Sequence, residues 1–139
     1  MGVEVVIDCQ GDLQCQAIHG PSQDRLQTDA PRDNGGEGNH FSPTDLVAAA
    51  FGTCAGTTMD LVGKRNGIQI AGTRIQVIKE MVADPKRRIG RLVTDIHFPK
   101  SLEGLNGEQK KLLEDAARFC PVKMSLNAAT EVTFTFHYG

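Results

Sequence analysis

The sequence predicts an α+β fold in which antiparallel hairpins surround one buried helix. Three observations predict it: short alternating segments near the start, a long pair of alternating segments after residue 72, and a central run of small, uncharged residues. At 139 residues the chain is long enough for one core and too short for two, so residues 1–139 are expected to form a single domain.

At the start, Val3, Val5, Ile7 and Cys9 alternate with more polar positions, as do Leu13, Cys15 and Ala17. A hairpin turning at Gln10-Gly11-Asp12 puts both apolar sets on one face. Cys9 and Cys15 then face the core and carry no chemical role. Arg25–Asp29 is expected to add a third short strand. Regular structure is scarce for about twenty residues after Gly20, which is unusual inside a compact domain. The stretch from Ala30 to His40 reads either as a flexible surface loop or as an arm that crosses a partner subunit or rims a pocket.

Phe41-Ser-Pro-Thr-Asp-Leu-Val-Ala-Ala-Ala-Phe-Gly-Thr-Cys-Ala-Gly-Thr-Thr-Met59 opens as a helix. Ser42 suits the N-cap, Pro43 the first helical position, and Asp45 closes an approximate capping box; Phe41 can staple onto Leu46. The helix is expected to reach Lys64–Arg65, with Asn66-Gly67 supplying the left-handed stop. A helix so small and uncharged between Ala48 and Thr58 is expected to be buried, with other backbones close against it.

Beyond it, Thr73–Ala83 and Ile89–Phe98 read as a long antiparallel hairpin through Asp84-Pro85-Lys86. Lys86, Arg87, Arg88 and Arg91 cluster near its turn, without interleaved aromatics, as a solvated hairpin end does. Asn106-Gly-Glu-Gln109 forms a capping box for a helix to about Phe119, with Leu112, Leu113, Ala116 and Phe119 as its apolar stripe. Cys120-Pro121 marks a junction where one helix ends and another begins. Val132, Phe134, Phe136 and Tyr138 complete the chain as a half-buried strand. The element order is β-β-β-α-β-β-α-α-β.

A net charge of −2 gives no general attraction to nucleic acid or anionic membrane. No 18-residue run is uniformly apolar, and the first residues lack a basic leader, so a cytoplasmic protein with no membrane span is expected. The four histidines are scattered and the four cysteines show no Cys-x-x-Cys or zinc spacing, so neither metal nor cofactor is expected. A lone mid-helix cysteine such as Cys54 is ordinarily a small hydrophobe. Cys120 differs: a thiol at a helix start faces free backbone N–H groups, which favour thiolate. On local physics alone, Cys120 outranks Cys54.

FSPTDLVAAAFGTCAGTTM and ARFCPVKMSL together resemble the two cysteine motifs of the osmotically inducible protein C and organic hydroperoxide resistance family (OsmC/Ohr), and the intervening elements follow that family's order. The resemblance implies an OsmC-like domain forming an intertwined homodimer, with the cysteine pairs near the interface. It implies a thiol-dependent peroxidase for small apolar organic hydroperoxides, reset by a thiol or dithiol reductant. Cys54 is then peroxidatic and Cys120 resolving. The family activates its thiol with an arginine held by a glutamate ten residues before the first cysteine. Here Thr44 stands at that position and cannot form a bidentate ion pair. Arg32 is the first choice for the activating arginine and Arg25 the second. The alternative is an OsmC-like stress or binding protein with no or weak catalysis.

Overall fold

The computed structural model describes residues 1–139, which divide into two compact units, Met1–Val47 and Ala48–Gly139. In the first, β1 (Val5–Gly11), β2 (Gln14–His19) and β3 (Arg25–Asp29) form an antiparallel sheet in that order. The β1–β2 turn falls on Asp12 and Leu13, both left-handed at φ 53° and 64°, the primed geometry that suits a two-residue hairpin. Gly11 (φ 82°) belongs to β1, beyond a bulge between Cys9 and Gly11.

The hairpin therefore exists, but its apolar face is not buried. β1 is exposed from end to end, with Val5 and Ile7 each 54% exposed, and Cys9 is exposed as well. Alternation reports which side chains share a face; it cannot report whether another layer covers that face.

After β3 the chain forms an ordered arm. A 3-10 turn at Arg32–Asn34 ends at Gly35 (φ 91°), and backbone bonds run from Gly36 to Pro31 and from Gly38 to Ala30. A side chain at Gly36 would sit 1.8 Å from the carbonyl oxygen of Ala30, so only glycine lets the two backbones approach. Asp29 is buried here; its Oδ2 accepts the Asn39 N–H at 3.0 Å, while its Oδ1 is buried without a partner.

Helix α1 (Pro43–Arg65) begins and ends where its caps predict. Ser42 Oγ accepts the Asp45 N–H at 3.1 Å, and Asp45 Oδ2 accepts the Ser42 N–H at 3.0 Å. The capping box thus closes with an aspartate. Gly67 (φ 69°) follows the helix as the left-handed stop. Phe41 is exposed. By length and composition α1 is apolar enough to cross a bilayer, with a mean hydropathy of 1.3, a composition that a core helix shares.

From Ala48 onward α1 belongs to the second unit. There β4 (Arg74–Val82) and β5 (Arg88–Phe98) pair antiparallel as expected, while β6 (Glu131–Tyr138) joins β5 in parallel, making the sheet mixed. A parallel neighbour requires a long crossover, and α2 (Gly107–Arg118) with α3 (Pro121–Ser125) supplies it.

Ala48, Phe51, Ala55, Met59 and Gly63 make one buried face of α1 and join Leu92, Ile96, Phe98, Leu113, Ala117 and Cys120 in the core. Each of the larger side chains contributes about 1.5–3 kcal/mol by leaving water. A Cβ at Gly52 would stand 3.2 Å from Val77, and one at Gly56 would stand 3.4 Å from Ile75. The small residues of α1 are what let it lie close on β4.

Helix α2 opens with the expected capping box between Asn106 and Gln109. Its buried stripe is Leu113, Ala116 and Ala117, continued by Cys120, whereas Leu112 and Phe119 are 42% and 65% exposed. Of the expected stripe, Leu113 and Ala116 are buried; Leu112 falls on the outer side of the helix, and Phe119 has already left it as its C-cap. On β6, the Tyr138 hydroxyl donates to Glu114 Oε2 at 2.7 Å, and burial together with that carboxylate raises its pKa.

Candidate active site

Two of the four thiols come together where α1 passes the start of α3. Cys54 lies mid-way along α1, half-buried, with Thr58 Oγ1 4.0 Å from its sulfur. Cys120 is the N-cap residue of α3, in extended geometry, and is fully buried. Both are free thiols and close enough to perturb one another. Cys120 is part of the apolar core, and Cys54 packs against it, as do Val122 and Leu126.

The start of α3 serves the two sulfurs differently. Pro121 has no N–H to offer, and the next donor, Val122 N–H, points at Cys54 Sγ at 3.5 Å. Cys120 makes no side-chain cap bond of its own. Burial pushes its thiol pKa up and the neighbouring Cys54 adds to the rise; the N–H groups of Lys123 and Val122 pull the other way but do not prevail. Cys120 therefore stays protonated at neutral pH, and of these two sulfurs Cys54 is the one with access to solvent.

Cys120-Pro121 did mark a helix start, and one of its N–H donors, that of Val122, reaches across to a cysteine from another helix. Sequence reasoning missed Val122 as a site residue. The signal was available in Pro121, which leaves Val122 as the first residue of α3 able to donate.

Arg32 sits in the 3-10 turn of the first unit, where its Nε donates to the Glu37 carbonyl at 3.0 Å. Arg25 lies on β3 with an Nη donating to Gln16 Oε1 at 2.8 Å. Thr44 is in the first turn of α1, its hydroxyl 3.3 Å from Ser42 Oγ. The threonine thus belongs to the helix-start network.

The histidines are less scattered in space than in sequence. His97 and His137 are register partners on β5 and β6 with rings stacked 4.3 Å apart, and His137 Nε2 lies 2.8 Å from Asp95 Oδ1. One ligand atom from each residue falls within 4.8 Å of the others. Arg74 stands opposite His97 in the β4–β5 ladder, which places a cation on the same face. No local spacing could reveal this trio, since it depends on parallel register between distant strands.

Residues 36–135 match the family model described as OsmC-like protein, and the chain belongs to that family. It is 36% identical to a Psychrobacter arcticus protein of known crystal structure, named for an osmotic stress induced and detoxification response. The two align over 99% of this chain and 98% of that one with a TM-score of 0.89. An organic hydroperoxide resistance protein-like 2 from Staphylococcus epidermidis is 27% identical over 104 residues, covering 73% of this chain and 72% of the relative. The crystal structure of an organic hydroperoxide resistance protein OsmC from Legionella pneumophila shares the fold at 18% identity and a TM-score of 0.78, covering 99% and 97% of the two chains.

Proposed function

We propose that this protein is a thiol-dependent peroxidase for organic hydroperoxides, with Cys54 as the peroxidatic and Cys120 as the resolving residue. One observation carries the reading: Val122 N–H donates to the sulfur of Cys54, while buried Cys120 waits beside it as a neutral thiol. The Staphylococcus epidermidis relative, named for organic hydroperoxide resistance, points to the same class of substrate.

The Cys54 thiolate attacks one oxygen of the O–O bond; with a proton taken up, the hydroperoxide leaves as an alcohol and the sulfur becomes a sulfenic acid. The Cys120 sulfur then attacks the sulfenic sulfur, forming the Cys54–Cys120 disulfide and releasing water. A dithiol returns both residues to thiols by exchange and is itself oxidised. The apolar surroundings of Cys54 favour an alkyl or aryl hydroperoxide over a strongly hydrated one. The family resemblance is what nominates Arg32, with Arg25 as the alternative, as the activating arginine.

The working form is a homodimer. α1 leaves Ala50, Thr53, Thr57 and Leu61 exposed on the side opposite its buried face, an apolar, small-residue stripe that a second copy can cover. Light scattering is expected to give a dimer at micromolar concentration; a stable monomer near 15.0 kDa contradicts it.

The competing reading, an OsmC-like protein without catalysis, draws on Thr44 at the position of the family's glutamate. Turnover separates the two. With dithiothreitol as reductant, the protein is expected to consume cumene hydroperoxide faster than hydrogen peroxide. No consumption of either above the reductant background favours the non-catalytic reading.

A further inference from the structure

The remaining two cysteines face each other across the β1–β2 hairpin. Cys9 and Cys15 are direct register partners, and their sulfurs lie 3.8 Å apart with Cys15 donating to Cys9. Both are free thiols; Cys9 is exposed and Cys15 half-buried. We propose that Cys9 and Cys15 form a second, separate thiol–disulfide exchange site, which reacts with low-molecular-weight disulfides and closes into a cross-strand disulfide.

The backbone already satisfies the main geometric demand. Directly opposed residues in an antiparallel ladder have Cα atoms about 4.5–5.5 Å apart, inside the roughly 4.4–6.8 Å window of disulfides. The sulfurs must close from 3.8 Å to a bond of about 2.05 Å. Side-chain rotation can supply that without moving the strands. The register rests on the whole β1–β2 ladder, from Val5 opposite His19 to Gly11 opposite Gln14, so the pairing does not depend on one side-chain rotamer.

The order of attack follows from exposure and from the direction of the hydrogen bond. Cys15 is held as a thiol: its donated hydrogen bond to Cys9 is the largest cause of a raised pKa. Cys9 receives that hydrogen bond and is the more accessible sulfur. Cys9 as thiolate attacks one sulfur of the small disulfide, forming a mixed disulfide and expelling one small thiolate. Cys15, giving up its proton, attacks the Cys9 sulfur of that mixed disulfide, and a second small thiolate leaves. Two protein thiols are oxidised, one external disulfide is reduced to two thiols, and the S–S bonds balance. No peroxide is needed, so the site stands whether or not Cys54 is peroxidatic.

The experiment treats the intact protein with oxidised glutathione, alkylates the remaining thiols with iodoacetamide, and maps each cysteine by mass spectrometry. The expected product is a peptide pair joined through Cys9 and Cys15, with glutathione on Cys9 present only transiently. In Cys15→Ser the second attack is impossible, and glutathionylated Cys9 is expected to accumulate by about tenfold or more over the natural protein. Full alkylation of both Cys9 and Cys15 after the treatment overturns the proposal. So does a stable glutathione adduct on Cys9 in the natural protein beside an alkylated Cys15. Each peptide is read separately, so an inert Cys54 leaves the outcome for this pair unchanged.

Discussion

The two cysteine pairs differ in almost every respect that governs thiol chemistry. Cys54 and Cys120 come from different helices; one is fully buried, and a backbone N–H is directed at the other. Cys9 and Cys15 sit on adjacent strands with no N–H donor assigned to either sulfur among their hydrogen bonds, and the pair is open on its Cys9 side. Proximity is common to both. What differs is asymmetry: burial separates the roles in the helical pair, whereas access and the direction of the thiol–thiol hydrogen bond order the strand pair. A cysteine's chemistry is set by what surrounds its sulfur, and the nearest residues in sequence are a poor guide to that.

The largest predicted effect separates the pairs by activity. Cys54→Ser should lower hydroperoxide consumption by about three orders of magnitude, because no other group on α1 can replace the nucleophile. Cys9→Ser should leave the rate within about twofold, since that side chain is exposed and outside the site. Equal losses from both variants would erase the distinction.

Thr44→Glu tests how well the helical pair is activated. A charge-assisted arginine–carboxylate bond contributes about 1.5–3 kcal/mol, equivalent to one to two orders of magnitude in rate if only the transition state benefits. Stopped-flow oxidation of Cys54 should therefore accelerate by about tenfold or more. No gain, in a natural protein that is already fast, shifts attention to the carboxylates of the arm. Among those, Asp29 has an unpartnered buried oxygen.

Stability should follow burial. Cys120→Ala, at a fully buried position, is expected to cost about 1–2 kcal/mol in urea unfolding, and Cys9→Ala less than about 0.5 kcal/mol. The pH dependence has a definite sign. The folded pKa of Cys120 lies above its ordinary value of 9.0, so the stabilisation it brings is complete below about pH 9 and declines as pH rises through the higher, folded value. Urea midpoints measured on either side of pH 9 should fall with rising pH, and less steeply in Cys120→Ala.

Much of this architecture is legible in local chemistry. The α1 caps, the Asn106 capping box and the glycine stop at Gly67 each depend on residues within a few positions of one another, and each formed where the sequence places it. The exposed face of β1, the parallel arrival of β6 and the stacked His97–His137 pair depend on distant partners, and no window of the sequence contains them. The site divides the same way. Pro121 announces a helix start, but only the packing of α1 against α3 brings the Cys54 sulfur to the Val122 N–H.

That assignment is tested most directly by mapping the disulfide that a hydroperoxide creates. The reduced protein is treated with about one equivalent of cumene hydroperoxide, enough for one sulfenic acid per chain, and is alkylated and digested without reductant. The account predicts a bond joining Cys54 to Cys120, with Cys9 and Cys15 alkylated, and in Cys120→Ala a sulfenic acid on Cys54 that dimedone captures. A bond joining Cys9 to Cys15 with Cys54 still alkylatable, or dimedone found on Cys120 in Cys54→Ser at the natural rate, would contradict it.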